Sequence, residues 1–287
     1  MATTSEKLNQ DGYAVVEDLF TSEECDALRK EMGVIIDGTN LEDHPKSVFT
    51  TYDEDKHAAD EYFLNSSDKI RFFLEEGALD KDGQLLVEKQ KAFNKVGHGL
   101  HWKNDIFKRY SFHPRIKSIF RDLHFADPAI VQSMYIFKQP KIGGAVTDHF
   151  DATFLYVNPI EHLVGIWIAL DDATVENGCL SFIPGSHKIT KVDYRFVRTH
   201  DQSGGSLLKF NGEKPTYAPE KFVPVPIKKG SAILIHGLVV HKSEANTSPL
   251  SRHVYTMHVM ERKDTEWSPN NWLQETGDYK FPNLYEN

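Results

Sequence analysis

From residue 129 the chain breaks into short runs rich in β-branched and aromatic residues: 129–139, 163–170, 179–183, 231–241 and 253–260. Turn chemistry stands between them, as Asn177-Gly178, Pro184-Gly185-Ser186 and Lys229-Gly230. Glycine and asparagine accept positive φ, and proline presets its own φ, so each cluster reverses the chain. Many short strands joined in this way bury their apolar faces by closing two sheets on each other. The expected fold is therefore mainly β with flanking helices, built on a double-stranded β-helix, or jelly roll. A hydrophobic share of 40% is enough for such a core. With no internal repeat and no low-complexity linker, the chain reads as a single domain, 1–287. Within it, 1–128 is a mainly helical N-terminal region, 129–262 the jelly-roll core and 263–287 a C-terminal tail.

The N-terminal region carries local signals. Residues 12–17 read as a strand. Thr21 and Glu24 form a capping box for a helix whose apolar face is Cys25, Leu28 and Met32, and Gly33 is the expected stop. Residues 37–62 are polar and weakly periodic, with Asp53, Glu54, Asp55, Asp60 and Glu61, and predict an exposed loop or short helix. Residues 67–74 read as a strand, 77–83 as its turn and 85–87 as the return. Residues 111–123 predict a helix with Ile116, Ile119, Phe120 and Leu123 on one face and Pro114 in its first turn.

Charge narrows the partners. With 33 basic and 42 acidic residues the net charge is -9, and no basic run appears. Neither nucleic acid nor an anionic membrane is expected as a partner, and no apolar run reaches the ~18 residues of a membrane span. Two cysteines, Cys25 and Cys179, make no disulfide framework. The N-terminus lacks an apolar signal region and the C-terminus is not a Ser-Lys-Leu address, so an intracellular, cytoplasmic protein is expected. A small-molecule substrate fits this balance. The oligomeric state stays open.

The chemistry-bearing residues start with His149-x-Asp151. On an extended chain residues two apart share a face, so an imidazole and a carboxylate project together. A second histidine would complete a two-His, one-carboxylate triad of the kind that holds non-haem Fe(II) with positions left open. Two candidates exist. His241 lies 90 positions after Asp151, and in a jelly roll such distant strands lie side by side. His236 lies in the apolar run before Gly237 and is better read as a hydrogen-bonded core or rim histidine. The bland reading of His241 is an exposed strand end. Arg252 follows 11 residues later and opens an apolar strand, where Arg252, Val254, Thr256 and His258 alternate onto one face. A buried guanidinium needs an anion, and its fork fits a carboxylate. The bland reading is an edge arginine in water.

His149-x-Asp151, His241 and Arg252 resemble the motif of iron- and 2-oxoglutarate-dependent oxygenases. The segments 132–140, Glu176-Asn177-Gly178-Cys179-Leu180, Ile183-Pro184-Gly185-Ser186-His187 and Trp267-Ser268-Pro269 narrow this, and the chain is similar to the phytanoyl-CoA dioxygenase family nearly end to end. The resemblance implies His149, Asp151 and His241 as Fe(II) ligands. It implies Arg252 as partner of the far carboxylate of 2-oxoglutarate, Lys95 as a second co-substrate contact, and Met134 and Trp167 as lining of the same pocket. The bland readings are core for Met134 and Trp167 and a solvated loop for Lys95. Phe150 falls on the face opposite the ligands.

The implied activity couples decarboxylation of 2-oxoglutarate by O2, giving succinate and CO2, to hydroxylation of a small-molecule substrate, with ascorbate as accessory reductant. Two rivals remain at this level: a zinc-dependent site, since His/Asp/His also suits Zn(II), and a non-catalytic jelly roll that binds a small anion. Residues 190–222, with Gly204-Gly205, Gly212 and little periodicity, are expected at the rim of the site as a lid or binding element; the bland reading is a solvated insertion.

Overall fold

The computed structural model describes residues 2–46, 48, 61–199 and 207–287. The expected loop positions Asp53, Glu54, Asp55 and Asp60, and the pair Gly204-Gly205, lie outside the described residues. Two sheets face each other. The larger has the order β1 (Tyr13–Val16), β12 (Ala232–His236), β7 (Leu163–Ala169), β14 (Val254–Glu261), β4 (Pro128–Ile136), β3 (Phe93–His98), β2 (Ile70–Leu74). The smaller runs β11 (Val223–Val225), β8 (Leu180–Phe182), β13 (His241–Ser243), β5 (Val146–His149). Every pairing between these strands is antiparallel. A two-stranded hairpin, β9 (Arg195–Arg198) with β10 (Leu208–Asn211), and a short ladder of β6 (Val157–Asn158) with β15 (Glu266–Trp267) complete the strands. This is the expected jelly roll, with three strands from the first 128 residues joined to its larger sheet.

Period-2 alternation sorts the central strands into two cores. Ile166 and Ile168 of β7 and Tyr255, Met257 and Val259 of β14 face outward into one cluster. The helices cover that cluster: α1 (Thr4–Asp11) and α2 (Ser22–Gly38) contribute Leu8, Cys25, Leu28, Met32 and Ile36, and Phe107, Ile116 and Phe120 add to it. The opposite faces, with Trp167, Ala169, Ile233, Ile235 and Val254, point between the sheets toward Leu180 and Phe182. Both faces are thus covered, which explains why β7, β12 and β14 are near-continuous apolar runs.

Some local expectations are corrected. The capping box at Thr21 and Glu24 is present, but α2 does not stop at Gly33. It continues to Gly38, because Ile36 extends the buried stripe of Leu28 and Met32 while Gly33 sits on the exposed side. A mid-helix glycine costs about 1 kcal/mol relative to alanine, which burial of an isoleucine offsets. The helix expected over 111–123 is present but shorter: one helix, α3 (Asp105–Ser111), ends at Ser111, and a second, α4 (Pro114–Asp122), carries the expected face. His113 caps the second through Nδ1, which accepts from the Arg115 N–H at 3.2 Å, and Pro114 begins it. Residues 85–87 form no strand, only the single bridge Leu79–Leu85. The run 231–241 is not one strand. It turns a corner at 237–240, where the Gly237 N–H donates to the Leu163 carbonyl and the Val239 N–H to the His236 carbonyl. β12 therefore lies in the larger sheet and β13 in the smaller.

His101 ties the helical layer to the sheet. It is fully buried, with Nδ1 2.9 Å from Ser133 Oγ and Nε2 2.8 Å from Tyr279 Oη. Burial pushes its pKa down to about 3. The unfolded chain takes up this proton near the ordinary histidine value and the folded chain does not. Stability is therefore expected to fall as pH drops below about 6.5, by about 1.4 kcal/mol per pH unit from this ring, until the folded-state value is reached. Chemical unfolding at pH 7 and pH 5 checks this: His101→Gln should flatten the dependence, and an equally steep dependence in that variant would reject it.

Candidate metal centre and co-substrate pocket

The smaller sheet brings the ligand candidates together. His149 ends β5, His241 begins β13, and the two are directly paired across the ladder. Their ring centroids are 4.3 Å apart. Each ring is oriented by its own backbone, His149 Nδ1 at 2.8 Å from the Thr147 carbonyl and His241 Nδ1 at 3.0 Å from the Val239 carbonyl. A carbonyl only accepts, so both Nδ1 atoms carry the proton and both Nε2 lone pairs are free for a metal.

Both Nε2 atoms converge on one oxygen. Asp151 Oδ1 lies 3.8 Å from His149 Nε2 and 3.7 Å from His241 Nε2. One ligand atom from each of the three lies within 4.8 Å of the others. Asp151 is not on the strand itself. It opens a 3-10 turn, Asp151–Thr153, held by the Ala152 N–H donating to the Gly237 carbonyl at the 237–240 corner. Phe150 between the ligands points away into an apolar cluster with Leu238 and Val240.

The protonation states suit a metal. Burial pushes His149 down to about 4, and the neighbouring His241 adds to that. Burial works to raise the Asp151 carboxyl, but the surrounding imidazoles of His258, His241 and His149 outweigh it and hold it below the usual carboxylate range. A neutral imidazole beside an ionised carboxylate is the donor form that divalent ions take. The corner sends His236 elsewhere. Its Nδ1 accepts from the Leu238 N–H at 3.1 Å and its ring packs 4.9 Å from that of His187.

The triad opens into a cavity of about 220 Å³ between the sheets. Its floor is a row across three strands, Met134 of β4 opposite Thr256 of β14 opposite Trp167 of β7. At one end of the row Arg252 is 1% exposed, with its guanidinium 4.9 Å from the Trp167 ring centroid. Its Nε and Nη1 have no hydrogen-bond partner among the described residues. Burial lowers its pKa to about 10, so it is still a cation at neutral pH. Leaving a buried charge unpaired is costly, and the cavity it faces has room for an anion. Lys95 of β3 lines the same cavity, buried, with Nζ 5.7 Å from the Phe73 ring centroid and its pKa driven well below the usual lysine value by burial.

Other lining residues were not singled out from sequence. Lys138 is buried, donates to the Gly144 carbonyl at 2.6 Å, and is pushed to about 7 by burial and then by Arg252. Glu75 accepts from Asn94 Nδ2 at 3.0 Å and the Gly144 N–H at 3.2 Å, and burial raises its pKa. Away from Arg252 the wall is aromatic: Phe63, Phe154, Phe196, Phe210 and Trp272. Gln132 and His258 lie between this wall and the Met134 row. The alternation that grouped His258 with Arg252 was the only sequence signal for it. The aromatic positions carry no signal that separates them from core.

Comparison with known proteins follows the same lines. The family model described as phytanoyl-CoA dioxygenase (PhyH) matches residues 8–254. The phytanoyl-CoA dioxygenase domain-containing protein 1 homolog of Caenorhabditis elegans is 66% identical over 282 residues, 98% of each chain. The phytanoyl-CoA dioxygenase domain-containing protein 1 of Mus musculus is 45% identical, over 97% of this chain and 96% of that one. Among solved structures, EctD from S. alaskensis in its apoform superposes with TM-score 0.64 at 17% identity, covering 99% of this chain and 86% of that chain. The epimerase SnoN, solved with Fe3+, alpha-ketoglutarate and nogalamycin RO, superposes with TM-score 0.63 at 16% identity, covering 96% and 89%. At these identities the structural likeness is one of fold.

Proposed function

The chain belongs to the phytanoyl-CoA dioxygenase family, and on that premise we propose that it is an Fe(II)- and 2-oxoglutarate-dependent dioxygenase that hydroxylates a small, largely apolar substrate. The observation that carries this reading is the pairing within one cavity of the His149, Asp151 and His241 donor set with a buried Arg252 guanidinium whose Nε and Nη1 have no partner among the described residues. A zinc hydrolase uses the first and has no task for the second.

The residues fit both groups. His149 Nε2, His241 Nε2 and Asp151 Oδ1 would hold the iron. Arg252 would receive the far carboxylate of 2-oxoglutarate through its guanidinium N–H groups, with Lys95 as a further contact. Trp167 packs on the guanidinium and, with Met134 and Thr256, would keep water from the co-substrate. When bound, the iron and co-substrate supply an oxidant: 2-oxoglutarate, O2 and a C–H bond give succinate, CO2 and a C–OH. The aromatic wall of Phe63, Phe154, Phe196, Phe210 and Trp272 supports an apolar group as the part of the substrate presented to the metal. Succinate formation from 2-oxoglutarate, with Fe(II), O2 and ascorbate, tests the reading. Equal succinate from Zn(II)-loaded protein, or none with iron, would reject it.

The segment 190–222, expected as a lid or binding element, carries paired strands among its described residues. Residues 190–222 contain the β9–β10 hairpin, whose cross-strand pair Phe196 and Phe210 sits in the aromatic wall with ring centroids 4.6 Å apart. Phe154 bridges this pair to the metal ligand, with its ring 6.0 Å from that of Phe196 and 5.8 Å from that of His149. Shortening the hairpin is expected to change which substrates stimulate succinate formation and to leave 2-oxoglutarate affinity unaltered. An unchanged substrate profile would remove the hairpin from substrate selection.

A further inference from the structure

Asp151 has two carboxylate oxygens, and the site treats them differently. Oδ1 faces the two ligand imidazoles. Oδ2 is turned into the larger sheet, where His258 Nε2 approaches it to 3.2 Å. The contact is at hydrogen-bond distance but bent, and no better-aligned donor reaches Oδ2 among the described residues. His258 is buried on the inward face of β14, in register with Gly165 of β7 on one side and Gln132 of β4 on the other.

Both neighbours serve this approach. A Cβ on Gly165 would lie 3.3 Å from Asp151 Oδ2 and 3.5 Å from His258 Nε2, so a side chain there would crowd the carboxylate and the imidazole together. The bare glycine lets them meet. Gln132 Nε2 lies 3.0 Å from His258 Nδ1. An imidazole that accepts at Nδ1 carries its proton on Nε2, where it faces the carboxylate. Gln132, His258 and Asp151 thus form a line from the larger sheet to the metal position.

We propose that His258 is a positioning residue that occupies Asp151 Oδ2 and so keeps Asp151 a one-oxygen ligand. A carboxylate free at both oxygens can close on a metal through both and take a further coordination position. The two-His, one-carboxylate arrangement works because positions on the opposite side remain open. Removing an outer partner of this kind commonly costs about 10- to 100-fold in metal affinity. The inference rests on the metal reading of the site and needs none of its chemistry.

Mn(II), read by electron paramagnetic resonance of the free and bound ion without 2-oxoglutarate or O2, is the probe. His258→Leu is expected to weaken Mn(II) binding about 10- to 100-fold and to leave fewer water molecules on the bound ion, counted by coupling to 17O-labelled water. His258→Gln keeps an N–H near the Nε2 position and is expected to restore affinity and water count toward wild type. Thermal midpoints of the two variants separate this from a general loss of packing, which would affect both alike. A folded His258→Leu variant with wild-type affinity and water count overturns the proposal. Complete loss of Mn(II) in both variants also overturns it, since that result makes His258 a ligand. A protein that forms no succinate but shows the His258 effect would reject the catalytic reading and support this one.

Discussion

Alanine in place of His241 is expected to remove metal binding and 2-oxoglutarate turnover together, while the fold survives. The same holds for His149→Ala and Asp151→Ala. Each takes away one of three donor groups, so the loss should exceed the 10- to 100-fold that follows removal of a supporting residue. The fold survives because none of the three is a large packing residue. His149 is half-buried at the end of a four-residue strand, and Asp151 begins a 3-10 turn held mainly by backbone bonds. His236→Ala is the control: its ring contacts His187 and the Leu238 N–H, away from the triad. Metal content after anaerobic loading, beside a thermal unfolding curve, is the check. If His236→Ala loses the metal and His241→Ala keeps it, the ligand set is wrong.

Arg252→Ala is expected to weaken 2-oxoglutarate binding by about 10- to 150-fold, the equivalent of the 1.5–3 kcal/mol of a charge-assisted hydrogen bond in a desolvated pocket. Metal affinity should not change. The unliganded protein should also be no less stable than wild type, because the guanidinium is buried with two nitrogens unpartnered among the described residues and its desolvation is not repaid until an anion arrives. This opposite pair of effects is what distinguishes a ligand anchor from a structural arginine, whose loss would destabilise the apo fold. Arg252→Lys keeps charge without the fork and should fall between. Lys95→Ala should weaken 2-oxoglutarate binding in the same direction. Equal co-substrate affinity in wild type, Arg252→Ala and Lys95→Ala would remove both from the site.

The sequence carried the jelly roll because its central strands β7, β12 and β14 are buried on both faces and its turns use residues with few alternatives. Gly178 is an example: it adopts φ 82°, and a Cβ there would run into the Glu244 carbonyl. His149 and Asp151 were legible from spacing, although Asp151 uses a 3-10 turn and not a continued strand. Position in the apolar run before Gly237 already disfavoured His236, and resemblance singled out His241, but the deciding feature is the corner at 237–240, which periodicity does not reveal. The β9–β10 hairpin was missed because its four-residue strands mix Arg195, Arg198 and Lys209 with Phe196 and Phe210. Lys138, Glu75 and Gln132 were illegible because burial of a polar residue depends on tertiary packing: on or beside a half-buried strand, either face can be the one turned to solvent.

The central claim is that one cavity holds both iron and 2-oxoglutarate, the first on His149, Asp151 and His241 and the second reaching Arg252. The most direct measurement is anaerobic titration of Fe(II)-loaded protein with 2-oxoglutarate, followed in the visible spectrum, and then admission of O2. A weak charge-transfer band is expected only with both present, and the same binding mode predicts its decay with release of succinate once O2 enters. It also predicts that the band is lost in Asp151→Ala and shifted to higher 2-oxoglutarate concentration in Arg252→Ala. A protein that binds Fe(II) and 2-oxoglutarate without the band, or whose band is indifferent to Arg252, would contradict it.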